Sequence, residues 1–420
     1  MKKLFSALLL ISFITAVHAA PCDSLQQYLD QANYFKLRTA LADPNCKVSP
    51  LFKSYCQVFV YNAFNQNVRS IELADSLLNI QNSKLADKQL ASLWELEVDN
   101  YSKIYAYKKA AESGDVIINK YPKDVDNLDD VKNTNKIWHA LADIAAQTIE
   151  QSTDVIVPIH RDIAGLWNVN VTTGDIAEDF IFDTGANIST ITESTAKRMG
   201  IKKLDVAFNV SGIQGTDVQS GIGVADSLKI GDITLRNVVF LIMPDESFNF
   251  PKANYSINGI LGYPVINAMK EVRISKKGTL EIPLIPSKSE LNNLALDGLF
   301  PMLNMVAGND TLVFHFDTGA KTSDLFSTYF KLHKKEIIKN GARKTVELGG
   351  AGGFVKIPSY ELKNFKFHIG TQLAMVRYIT VFSEPVKESK ELVYGNIGQD
   401  IIGQFDEMTI NFQSMFVSFK

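Results

Sequence analysis

The sequence predicts a multidomain α+β protein, with an N-terminal α-helical hairpin domain followed by a mostly β region built from two homologous halves. Three observations carry that prediction. Apolar residues recur at helical spacing up to about residue 151, and short alternating runs broken by Gly, Asn and Asp take over after Thr153. A strand-like hexapeptide of the second region then returns 134 residues later (317 − 183). At 420 residues the chain has length for two or three domains. With 46% hydrophobic and 21% charged residues it has ample core material, which excludes a disordered or fibrous protein. The net charge of -3 comes from 43 basic and 46 acidic residues with no basic stripe, so nucleic acid is not an expected partner.

The first residues read as a targeting signal. Lys2 and Lys3 precede an apolar run over 4–16, and Val17-His18-Ala19 supplies the small residues of a cleavage site. Residues 1–19 are thus expected to be a signal peptide, since cleavage after Ala20 would leave Pro21 at the new terminus. No later run is long enough for a transmembrane helix. The expectation is an exported protein, periplasmic or secreted, that does not span a membrane. Cys22, Cys46 and Cys56 are the only cysteines. Export permits a disulfide between two of them, and the spacing does not say which two. No histidine of the mature chain lies near them in sequence, so neither a metal site nor a cofactor is expected.

Over 20–151 the period is helical. Leu25, Tyr28, Leu29 and Ala32 form one face, Leu51, Tyr55, Val58 and Phe59 another, and further helical runs cover 85–107, 108–121 and 131–149. Residues 105–122 look like one helix pair of a tetratricopeptide-type array, but no 34-residue register emerges. The prediction is an irregular, TPR-like helical domain. It would serve as a structural cap, an inhibitory shield, or a surface for a protein partner.

The β region contains an internal duplication. Ile181-Phe182-Asp183-Thr184-Gly185-Ala186 returns as His315-Phe316-Asp317-Thr318-Gly319-Ala320. Gly259-Ile260-Leu261-Gly262 returns as Gly395-Asn396-Ile397-Gly398, and Glu271-Val272-Arg273-Ile274 as Glu407-Met408-Thr409-Ile410, both at an offset of 136 (398 − 262, 407 − 271). A near-constant offset across three separated landmarks marks two copies of one unit, at 154–285 and 296–420, joined by a polar connector holding Pro286, Ser287 and Ser289. Between the landmarks each copy has a glycine-rich turn, with Gly212 and Gly215 in the first and Gly350 and Gly352 in the second.

An apolar strand that ends in Asp-Thr-Gly delivers a carboxylate at the mouth of a tight turn. Glycine permits a close backbone approach there, and the threonine hydroxyl is placed to bond across to an opposing loop. Two such loops face to face would bring Asp183 and Asp317 to hydrogen-bonding distance. Like charges that close share one proton, so one acid can activate a water while the other protonates a carbonyl oxygen. No Gly-x-Ser-x-Gly, His-Glu-x-x-His or Cys/His pattern competes for the role.

The two Asp-Thr-Gly-Ala motifs, each followed about 80 residues later by an apolar-glycine motif, resemble the retropepsin/pepsin superfamily of aspartic peptidases, in a fused two-lobe arrangement. The resemblance covers about 154–420. It implies two β-barrel-like lobes, a catalytic pair Asp183 and Asp317, and loop support from Thr184, Gly185, Thr318 and Gly319. It also implies flap-like hairpins at Gly212, Gly215, Gly350 and Gly352, a protein or peptide substrate, and a monomer, because both halves of the site lie in one chain. Other roles for the same residues are an inactive peptide-binding protein of this fold and a scaffold acting through the helical domain. Three departures stand out. Asn396 replaces an apolar residue, so packing behind Asp317 is expected to be less regular. His315 replaces Ile181 on the face of Asp317, either tuning the dyad or filling a structural place. Ala186 and Ala320 replace a serine that would stabilise the ionised dyad, which implies activity nearer neutral pH.

Overall fold

Helix formation in the N-terminal region follows local chemistry. Helix Pro50–Ala63 begins with Pro at its first position and Ser49 as cap, whose Oγ accepts from the Phe52 N–H at 3.2 Å. Helix Leu128–Leu141 is capped by Asn127, which accepts from the N–H groups of Asp129 and Asp130, two acids well placed at a helix N-terminus. The computed structural model of the chain describes residues 22–80, 84–211, 217–350, 353–386 and 392–420. The expected signal peptide, residues 1–19, lies outside them.

Helices occupy residues 25–141, and a mostly strand region follows. The helical run expected over 131–149 ends at Leu141, because Thr148–Glu150 forms a strand that pairs with residues 234–236. Of the three pairings left open for the cysteines, the chain takes Cys22–Cys46, and Cys56 is a buried free thiol. Asn65 and Tyr105 each end a helix in the left-handed conformation (φ 57° and 61°). That turn aims their side chains at the strand region. Asn65 Nδ2 donates to Asn267 Oδ1 and to the Phe412 carbonyl, and Tyr105 Oη donates to the Pro264 carbonyl at 2.8 Å.

Among the described residues the strands form a 13-stranded sheet, an 8-stranded sheet and one two-stranded ribbon. Seven strands of each large sheet follow one order. In the first copy it is 167–173, 176–182, 259–261, 190–192, 233–243, 217–230, 202–211; in the second it is 300–307, 310–316, 395–397, 324–325, 372–382, 353–369, 342–350. The duplication read from three short landmarks is therefore a duplication of topology. The C-terminal strands Glu407–Asn411 and Phe416–Phe419 leave the second copy and extend the sheet of the first.

The joint between copies is strand Glu271–Ser275 lying antiparallel to Glu407–Asn411, with Arg273 opposite Thr409. These two positions are equivalents at the 136-residue offset, so a pseudo-twofold axis passes between them. Buried Glu271 anchors this joint. Its Oε2 accepts from Ser287 N–H and Oγ at 2.6 Å each and from Asn411 Nδ2, and its Oε1 pairs with Arg273. Burial alone would raise the Glu271 carboxyl pKa, but the donors of Ser287, Arg273 and Asn411 outweigh it and hold the group below the usual range.

Candidate active site

The strand Ile176–Phe182 is driven into the core by Phe180, Ile181 and Phe182, all nearly fully buried, and Phe314 and Phe316 do the same for strand Asp310–Phe316. The chain then turns at Asp-Thr-Gly in each copy, on the same axis as the Arg273/Thr409 pair. Thr184 Oγ1 donates to the Phe316 carbonyl at 2.7 Å and accepts from Thr318 N–H at 3.1 Å. Thr318 Oγ1 donates to the Phe182 carbonyl at 2.9 Å and accepts from Thr184 N–H at 3.0 Å. These four bonds are reciprocal, and both threonines have no solvent exposure.

That lock brings the two carboxyls together. Asp183 and Asp317 hydrogen-bond each other side chain to side chain. Asp183 Oδ1 accepts from Gly185 N–H at 2.7 Å, and Asp317 Oδ1 accepts from Gly319 N–H at 2.9 Å. Each glycine also faces the carboxyl of the other copy. A Cβ on Gly185 would sit 2.7 Å from Asp317 Oδ1, and one on Gly319 would strike the Asp183 carboxyl. Burial, then the charge and hydrogen bond of Asp317, hold the Asp183 carboxyl well above the usual carboxylate range. Burial raises Asp317 too, but it is held back by donation from Asp183, Gly319, Asn396 and Ala320. Burial thus raises both carboxyls, and at this closeness the pair holds one proton between them, so its two titration steps belong to the pair.

Behind each loop the apolar-glycine motif is seated by matching bonds. Gly262 N–H donates to Ser189 Oγ at 3.0 Å and Gly398 N–H to Ser323 Oγ at 2.8 Å. A Cβ would meet the Ala186 carbonyl oxygen at 2.5 Å or that of Ala320 at 2.7 Å, so both positions require glycine. Ser189 and Ser323 were missed in the sequence, although they repeat at the same offset as the aspartates and carried a signal that could have been used.

The departures now have structural meanings. Asn396 does not loosen the packing behind Asp317, since strand 395–397 pairs on both sides with the same register as strand 259–261. It reaches the dyad instead, donating from Nδ2 to Asp317 Oδ2 at 3.4 Å. His315 packs against Phe300 (ring centroids 4.4 Å apart) and Phe326, and burial lowers its pKa to about 4, so it is a neutral ring near pH 7. Asp324, which sequence reasoning passed over, lies in strand Asp324–Leu325 beside this group. Burial, with Asp317 and Asp400 adding to it, pushes its carboxyl up to about 8.

Of the expected flap residues, Gly212, Gly215 and Gly352 lie outside the described residues. Gly350 ends strand Ala342–Gly350 opposite Gly353, at the end of a long hairpin. The first copy has a matching hairpin, Lys202–Ser211 with Asp217–Ile230. Helix Leu128–Leu141 braces it, with Asn133 Nδ2 donating to the Asn209 carbonyl at 2.7 Å and Asn133 Oδ1 accepting from Asn209 N–H at 3.1 Å. Trp138 of the same helix packs in one apolar cluster with Phe208, Ile222 and Val224. Among the described residues no three His, Cys, Asp or Glu side chains group as metal ligands, and no helix is long and apolar enough to cross a membrane.

Residues 169–265, from within strand Trp167–Thr173 to the helix after Gly262, match the family model described as aspartyl protease. Over these residues lobe 1 is similar to the aspartyl protease family. A solved structure described as a retropepsin-like aspartic protease from Rickettsia conorii is 18% identical, over 32% of this chain and 94% of that one, with a TM-score of 0.22. No curated protein matches the chain. The family-model match stops short of Asp317, and the second lobe is tied to the first by the shared strand order and motif.

Proposed function

We propose that this chain is an aspartic endopeptidase that hydrolyses peptide bonds with a water held between Asp183 and Asp317. The observation that carries the reading is the reciprocal Thr184/Thr318 lock, which joins two equivalent acids across a pseudo-twofold axis in one chain. In this reading the ionised carboxyl of the pair takes a proton from the water as the water oxygen attacks the carbonyl carbon of the substrate. The protonated carboxyl gives its proton to the carbonyl oxygen. As the tetrahedral intermediate collapses and the C–N bond breaks, the carboxyl that took the water proton gives it to the leaving amine, and the other carboxyl takes a proton from a hydroxyl of the intermediate, which restores the starting pair. The raised pKa of the buried pair keeps one proton on it toward neutral pH, in keeping with Ala186 and Ala320 after the loops.

The substrate in this reading is a protein or peptide, which enters between the lobes under the two long hairpins. The positive and apolar leader over 1–19 and the Cys22–Cys46 disulfide favour an exported, periplasmic or secreted enzyme. The test is digestion of a peptide library by the purified chain from pH 4 to 8, beside an Asp317→Asn control. Cleavage by the parent and not by the variant is expected. Equal products from both would refute the reading.

A further inference from the structure

Strand register places four side chains in a row across each lobe, on the face that carries the dyad. In lobe 1 the row is Ile181, Ile260, Thr190 and Leu241, paired in that order across four strands. In lobe 2 the equivalent row is His315, Asn396, Asp324 and Thr380. Side chains alternate along a strand, so Ile181 and His315 share the face of Asp183 and Asp317 two residues on. The contact of Asn396 Nδ2 with Asp317 Oδ2 confirms that the lobe 2 row borders the dyad. One side of the site is thus walled almost entirely by hydrocarbon, and the other holds a ring, an amide, a carboxyl and a hydroxyl.

Two acceptors in the polar row have no donor once Asp324 is ionised. Asp324 Oδ1 and Asn396 Oδ1 are both enclosed and both lack a hydrogen-bond partner, and the residues are direct cross-strand neighbours. Donation by Asn396 Nδ2 to Asp317 leaves its oxygen turned away from the dyad. Enclosed acceptors without donors are costly, and at a site edge they mark a place made for a donor. The group that suits two acceptors with one carboxyl between them carries N–H donors only and a positive charge, which describes an ammonium or guanidinium.

We propose that Asp324, with Asn396, forms a recognition site for a lysine or arginine side chain of the substrate, on the lobe 2 side of the cleaved bond. Lobe 1 takes an apolar residue on the opposite side. This rests on the endopeptidase reading for the substrate, but not on the dyad for the binding itself. The cation would sit against a carboxyl that otherwise faces the ionisable Asp317, so its pairing favours the charged form of Asp324. Threonine at the equivalent position 190 offers no charge, so the two sides select differently.

The test uses octapeptides identical except for Lys, Leu or Glu at each position around the cleaved bond, with the full chain and its Asp324→Thr and Asp324→Asn variants. At one position the parent should favour Lys over Leu in kcat/KM by at least about tenfold, with Glu the poorest. Both variants should bring the Lys-to-Leu ratio near one; because the ratio is internal, a partly misfolded sample does not distort it. An unchanged ratio in both variants overturns the inference while leaving the endopeptidase reading intact. If no peptide is cleaved, that reading falls, and the same ratio measured as Kd by calorimetry decides this one. A chain that binds no peptide overturns both.

Discussion

In lobe 1 the hairpin Lys202–Ser211 is gripped on its outer edge by helix Leu128–Leu141, through the paired bonds of Asn133 to the Asn209 backbone. The counterpart strand in lobe 2, Ala342–Gly350, ends its sheet with no such helix packed along it among the described residues. The rows beside the dyad differ as well, apolar in lobe 1 and polar in lobe 2. What does not differ is the pair of loops at the dyad, where the threonine lock, the glycines against the opposite carboxyls and the serine bonds recur at matching distances. A joint that must meet its own copy tolerates little divergence, whereas walls and edges that meet other things are free to differ.

The sharpest way to break that comparison is to ask whether the axis behaves symmetrically. Asp183→Asn and Asp317→Asn should each lower kcat by about 10²- to 10⁴-fold, because neither acid works without its partner. Substantial turnover retained in one of them would show that the lobes are not equivalent at the axis. At the second crossing point symmetry should fail. Glu271 is buried with four donors, while its equivalent Glu407 pairs with the exposed Lys420. Chemical denaturation should show Glu271→Ala costing about 3–5 kcal/mol and Glu407→Ala less than about 1 kcal/mol. The Glu271 pKa is depressed in the folded state, so its stabilisation is present above the ordinary glutamate range and lost as pH falls through the folded value. The parent should therefore weaken on acidification in a way that Glu271→Ala does not.

Smaller effects refine the contrast. Thr184→Ala and Thr318→Ala each strand a buried N–H and a buried carbonyl in the other lobe, and each should cost about 1–3 kcal/mol, equal within error. Asn133→Ala removes two bonds to one strand edge and should cost about 1 kcal/mol. Its signature is local, with faster amide exchange over 202–211 and no change over 342–350; equal acceleration in both hairpins would mean that the brace is not specific to lobe 1.

Much of this was legible in the sequence because the duplication is written in short contiguous motifs. Asp183, Thr184 and Gly185 announce their partners by repetition, and glycine at 262 and 398 marks a close approach wherever it falls. The switch from helical to alternating period near Thr153 also shows directly. What could not be read depends on register between distant segments. Nothing local to Glu271 says that Asn411 will face it across 140 residues. Nothing near Asn133 says that the Asn209 backbone will lie beside it. Asn396 reads as a lapse in an apolar motif until its strand neighbours are known, and then its amide points at Asp317. Asp324 reads as one more turn acid until its register with Asn396 puts it in the row beside the dyad. Cysteine spacing alone likewise leaves the Cys22–Cys46 choice open.

The most direct measurement follows the two carboxyl carbons by ¹³C NMR in protein labelled at aspartate, from pH 3 to 9. Two coupled titrations are expected, one of them well above the ordinary aspartate range, and Asp183→Asn should abolish the high step and return Asp317 to a single lower one. Two independent titrations near the ordinary aspartate value, each indifferent to replacement of the other residue, would contradict a shared proton.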